Sequence, residues 1–97
     1  MPELVNQHDV PIISLQFRLQ WEPAQNAHVL LYPEGMVKLS DSAAQILKRV
    51  DGSSSVAMII RELERLFPGA DLTSDVLEFL SIARERGWIA ISSAGHS

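Results

Sequence analysis

No cysteine occurs among the 97 residues. That absence excludes disulfides, thiolate metal sites and cysteine nucleophiles together, and it fits a reducing compartment. Basic residues are also scarce. Eight Lys and Arg stand against 12 Asp and Glu, a formal net charge of −4. An acidic chain repels phosphate backbones, which disfavours general nucleic-acid binding. No apolar run approaches the roughly 18–20 residues that span a bilayer. Met1-Pro2-Glu3-Leu4 lacks the basic and apolar regions of a signal peptide. The expectation is a cytoplasmic protein with no nucleic-acid and no membrane partner.

Catalytic and cofactor signals are missing in the same way. The three histidines, His8, His28 and His96, are never one helical turn apart, so no metal site is expected. No glycine-rich phosphate loop occurs. Ser53-Ser54-Ser55 has no histidine placed to activate it and reads better as a helix cap. The carboxylates alternate with arginines, as in Arg61-Glu62-Leu63-Glu64-Arg65, the pattern of a solvated helix face. The expectation is therefore no enzyme, no metal and no cofactor.

What is present is a compact amount of apolar sequence, 46 % of the residues, enough for one modest core. Residues 1–16 read as an N-terminal arm. Within it Val10, Ile12, Ile13 and Leu15 are apolar and Pro11 keeps the chain extended. Two readings stand: a frayed terminus lying loosely on its own domain, or an arm exchanged with a second copy to give a homodimer. Residues 17–91 read as the folded domain and 92–97 as a tail.

In the folded part, Phe17, Leu19 and Trp21 alternate with polar residues, which predicts a strand with one buried face. Ala27 to Tyr32 predicts a central strand. Pro33-Glu34-Gly35 predicts a turn, and Met36 to Leu39 a short third strand. Ser40 is placed to cap a first helix striped by Ala43, Ile46, Leu47 and Val50 and ended by Asp51-Gly52. Ser53 to Ser55 offer the cap of a second, striped by Val56, Ile59, Ile60, Leu63 and Phe67. Asp71 or Thr73 caps a third, which carries Leu72, Val76, Phe79, Leu80 and Ala83 inward and stops at Gly87. Trp88 to Ile91 suggests a terminal strand. The fold class is α+β, winged-helix-like, with a three-stranded antiparallel sheet followed by three helices.

Such a helical trio raises DNA binding as one alternative and a structural dimerisation module as another. Against the first, the third helix carries Arg84 and Arg86 but also Asp75, Glu78 and Glu85, and the hairpin turn is acidic. The remaining feature is an edge beside a helix. The third strand, Met36, Val37, Lys38 and Leu39, is expected at the sheet edge, where unpaired backbone groups can accept an added strand. On the third helix Leu77, Ser81, Arg84 and Trp88 cluster on one flank. They either broaden the core or wall a groove against that strand.

The run Leu30-Leu31-Tyr32-Pro33-Glu34-Gly35, then Leu39 and Ser42-Ala43-Ala44-Gln45-Ile46-Leu47, resembles the PqqD family. Asp51-Gly52, Ile59-Ile60, Asp75-Val76-Leu77-Glu78-Phe79-Leu80 and Gly87-Trp88-Ile89 continue the pattern in the same order, from about Phe17 to Ile91. The resemblance implies a peptide chaperone of pyrroloquinoline quinone (PQQ) biosynthesis, similar to the stand-alone recognition elements of ribosomal peptide pathways. It implies two partners, a PqqA-like precursor peptide and the PqqE-like radical S-adenosylmethionine enzyme that receives it. It also implies that the peptide lies on the third strand against the third helix, at Met36, Val37, Lys38, Leu39, Leu77, Ser81, Arg84 and Trp88.

Overall fold

A computed structural model of the chain describes residues 4–92. Met1 to Glu3, and the part of the expected tail from residue 93 onward, including His96, lie outside the described residues. Eight elements follow in order: β1 (Val10–Ile13), β2 (Arg18–Glu22), β3 (Ala27–Tyr32), β4 (Gly35–Lys38), α1 (Asp41–Leu47), α2 (Val56–Leu66), α3 (Thr73–Glu85) and β5 (Ile89–Ser92). The three-stranded antiparallel sheet has the order β2-β3-β4, and the three helices follow it as the residue pattern predicts. The winged-helix description is approximate, because β1 and β5 form a second, two-stranded antiparallel sheet. No helix among the described residues is long and apolar enough to cross a membrane.

β3 is central because Ala27, Val29 and Leu30 are all buried, so both of its faces are covered. Leu30 stands opposite Leu19 on one side and Val37 on the other. All three turn toward the core, where α2 contributes Val56, Ile59, Ile60 and Leu63 and α3 contributes Val76, Leu80 and Ala83. A side chain taken fully out of water in this way is worth about 1.5–3 kcal/mol before ordering entropy is subtracted.

Two of the three helix starts follow their sequence signals. Ser40 Oγ accepts from Ala43 N at 3.2 Å, and Ser55 Oγ accepts from Met58 N at 3.2 Å. The third does not. Leu72, and neither Asp71 nor Thr73, holds the cap position of α3; its N–H is taken by Glu64 Oε2 of α2 at 2.8 Å, while Asp71 Oδ1 accepts from Thr73 N at 3.3 Å. A carboxylate from the neighbouring helix and a local aspartate thus share the start of α3. Helix ends also move. α1 closes at Leu47 and not at Val50, although Val50 is still buried, and Phe67 caps the end of α2 with half of its surface exposed.

The N-terminal segment departs most from expectation. Val10 to Ile13, read as part of an arm, form β1 and pair with β5 of the same chain. Ser92, read as the first residue of the tail, ends β5. Ahead of β1, the carbonyls of Gln7 and Asp9 accept from Ala57 N at 2.9 Å and Val56 N at 2.8 Å. These are first-turn amides of α2, which have no partner inside their own helix. The Pro11 carbonyl accepts from Gly52 N at 3.2 Å. Gly52 has φ +78°, and a Cβ there would stand 3.2 Å from Ile12 Cδ1, so glycine is needed for conformation and for space. Of the four apolar side chains expected to be hidden, Leu15 is fully exposed and Ile12 is 42 % exposed, while Pro11 and Val5 are buried instead.

Candidate functional site

β4 pairs with β3 on one side only, so it is an edge strand. Its hydrogen-bond phase follows from one bond. Leu39 N donates to His28 O at 3.0 Å, and the register continues as Val29↔Lys38, Leu30↔Val37, Leu31↔Met36 and Tyr32↔Gly35. Antiparallel partners alternate between hydrogen-bonded and non-hydrogen-bonded pairs. Leu39, Val37 and Gly35 therefore turn their backbone groups toward β3. Met36 and Lys38 turn theirs away, and these have no partner among the described residues. The edge thus offers two N–H donors and two C=O acceptors at every second residue, the spacing that a further strand requires.

The four strand residues divide by role. Leu39 is buried and Val37 packs on the core opposite Leu30, so both hold the edge in place. Met36 is 44 % exposed and Lys38 is exposed, so a pairing segment would meet these side chains as well as their backbone. β4 reaches this position because the two-residue turn Pro33-Glu34 returns the chain tightly from Tyr32 to Gly35.

The other four residues divide too, Leu77, Ser81 and Arg84 on α3 and Trp88 between α3 and β5. Leu77 and Trp88 are half-buried and pack against the core, which is the broadening role. The Trp88 ring lies 6.4 Å from that of Phe79, and the Arg86 guanidinium sits 5.5 Å from the Trp88 ring centre. Arg84 is partly exposed. Ser81 must be corrected. Its residue surface is 1 % exposed, its Oγ accepts from Val5 N at 2.8 Å, and it donates to the Leu77 carbonyl at 2.6 Å. Both of its hydrogen-bonding capacities serve the chain's own N-terminal segment and helix, so Ser81 is not an open wall of a groove. The sequence signal for this is weak: Val5 is one apolar residue inside a polar stretch, 76 residues from its partner.

Nothing in this arrangement resembles a reacting centre. Among the described residues no group of three or more His, Asp or Glu is placed to hold a metal ion. What the edge can do is pair.

Comparison with known proteins gives a consistent set of relatives. The sequence pattern of "Coenzyme PQQ synthesis protein D (PqqD)" matches residues 27–89, more than half of the chain. A protein of Azotobacter vinelandii named "PqqA binding protein" is 60 % identical over 85 residues, covering 87 % of this chain and 92 % of that one. A protein of Stutzerimonas stutzeri with the same name is 51 % identical over 83 residues, covering 84 % of this chain and 90 % of its own. The solution NMR structure of the PqqD truncation of Methylobacterium extorquens PqqCD superposes with a TM-score of 0.73 at 30 % identity, covering 88 % of this chain and 93 % of that one. That protein is described as a functional and stand-alone recognition element for ribosomally synthesised and post-translationally modified peptides. These names describe binding and recognition, not catalysis.

Proposed function

Because this chain belongs to the PqqD family, whose members are binding proteins and not enzymes, we propose that it binds a PqqA-like precursor peptide as an added strand on β4 and presents it to a PqqE-like radical S-adenosylmethionine enzyme in PQQ biosynthesis. The observation that carries the reading is the pair of outward backbone positions, Met36 and Lys38, on an edge that the fold leaves open.

Backbone pairing is suited to this task. Each hydrogen bond contributes about 0.5–1.5 kcal/mol net, so affinity grows by small equal steps along the edge and depends little on which residues the peptide carries. Specificity must then come from side chains beside the strand. Met36 and Lys38 lie on the edge itself, and Leu77, Arg84 and Trp88 of the α3 side supply apolar surface and one positive charge. Pairing also extends and orders the peptide, which lets a second protein meet it in a defined register. The setting of this reading is the cytoplasm, where a ribosomal precursor is first available.

The test is a titration of the isotope-labelled chain with the PqqA-like precursor peptide, followed by amide NMR. Shifts are expected at Gly35 to Leu39, largest at the outward amides of Met36 and Lys38, with smaller ones at Leu77, Arg84 and Trp88. Shifts confined to β2, the other edge of the same sheet, would sink strand addition at β4. For the second step, turnover of the peptide by the PqqE-like enzyme should rise when this chain is added, and equal turnover with and without it would remove the presenting role.

A further inference from the structure

A second surface is built by α2 and the segment that follows α1. Met58, Arg61, Glu62 and Arg65 recur at the spacing that puts them on one face of α2, away from the buried Val56, Ile59, Ile60 and Leu63. Lys48 and Arg49 come directly after α1 and line the same hollow of about 400 Å³. Four of the chain's eight Lys and Arg residues therefore meet at one place on a molecule whose net charge is −4.

The acids at this place are already engaged. Asp51 accepts from Ser53 N and Ser54 N, both at 2.8 Å, and these bonds hold its carboxyl below the usual carboxylate range. Glu62 pairs with Arg65 at 3.3 Å. Lys48, Arg49 and Arg61 make no ion pair among the described residues. Arg49 is held by Gln45, with Nη1 donating to Gln45 O at 2.8 Å and Oε1 at 3.1 Å, while its Nε is buried and without a hydrogen-bond partner. The buried Nε is out of a partner's reach, but the bonds to Gln45 hold the guanidinium in place, and a positioned guanidinium is the form in which Arg recognises carboxylates. Met58, 52 % exposed, adds an apolar contact among these charges. Arg and Met around an apolar centre are favoured at protein interfaces.

We propose that this hollow is a second docking surface, separate from the β4 edge, and that its occupant is an acidic segment of a partner protein carrying an apolar residue between carboxylates. A nucleic acid fits less well, because the cationic cluster is small and the rest of the molecule is acidic.

The experiment uses the full isotope-labelled chain and, as probe, a short synthetic peptide of glutamates around one central leucine. Two controls have equal length: the matching lysine peptide and a single-stranded thymidine oligonucleotide. The expected result is shifts at Lys48, Arg49, Met58 and Arg61, with affinity falling about tenfold between low and physiological salt. The Lys48→Glu/Arg61→Glu double variant should lose these shifts and keep the precursor-peptide shifts at β4. Three results overturn the proposal: no shifts at these amides, shifts that persist in the double variant, or tighter binding of the oligonucleotide than of the glutamate peptide at the same amides. Because the two surfaces report through different amides, failure here and failure at β4 are separately visible.

Discussion

In the β1–β5 sheet, an outward-facing carbonyl, that of Pro11, is drawn into the fold. Ser14 N bonds to Trp88 O at 2.9 Å, so the alternation turns Pro11 outward, where its missing N–H costs nothing and its carbonyl is taken by Gly52 N. In the β2-β3-β4 sheet, the corresponding outward groups at Met36 and Lys38 have no partner among the described residues. Both sheets are small and antiparallel, and in one of them the edge strand gives its outward Pro11 carbonyl to the fold. An edge closed by proline and stitched to a helix start is structural. An edge carrying ordinary residues, with a lysine and a methionine in the open phase, is available for pairing.

The comparison breaks most severely if the closed side is removed. A chain starting at Ser14 loses β1 and the buried Val5 and Pro11, and it uncovers first-turn amides of α2. At about 1.5–3 kcal/mol for each buried side chain, urea denaturation should show a loss of several kcal/mol. An unchanged midpoint would return the segment to the status of a loose arm.

The open side is sharpened by a pair of prolines one residue apart. Val37→Pro removes a donor directed at Leu30 and should cost about 1–3 kcal/mol of stability. Lys38→Pro removes an outward donor, so the fold should persist while precursor-peptide affinity drops at least about tenfold, or about 1.4 kcal/mol. Equal loss of folding in both variants, or normal peptide binding by Lys38→Pro, would contradict the hydrogen-bond phase assigned to β4.

Ser81→Ala tests how the closed side is anchored. It leaves the Val5 amide without its acceptor and should cost about 1–3 kcal/mol. In the chain starting at Ser14 the same substitution should cost clearly less, because Val5 is gone; an identical cost in both backgrounds would mean that Ser81 acts only within α3.

The smallest effect concerns the loop that receives Pro11. Asp51 has a folded-state pKa below its ordinary value, first because of the Ser53 amide and then the Ser54 amide. A depressed carboxylate contributes stability above its unfolded pKa, near 3.9, and loses it as pH falls through the folded value. Asp51→Ala should thus lower Tm modestly at neutral pH, and the gap to the parent should narrow as pH falls below the unfolded carboxylate value. A gap that does not change with pH would assign the effect to backbone shape and not to charge.

Much of this molecule is legible in its amino-acid sequence. The alternation around Leu19, the apolar run of β3 and the turn at Pro33-Glu34 determine the hairpins, because side-chain period and turn chemistry act over a few residues. The stripes of α2 and α3, the caps Ser40 and Ser55 and the ordered residues shared with the PqqD family are local in the same sense. The edge position of Met36 to Leu39 follows from chain order. Tertiary structure alone decided the rest. Val5 covering Ser81 and the Gln7 and Asp9 carbonyls receiving the start of α2 join residues far apart in sequence, and no periodicity carries that information. Whether an apolar N-terminal segment is an arm or a strand depends on what lies across from it. Here the segment meets the open side of β5 and the first-turn amides of α2, which exist only once the helices have packed.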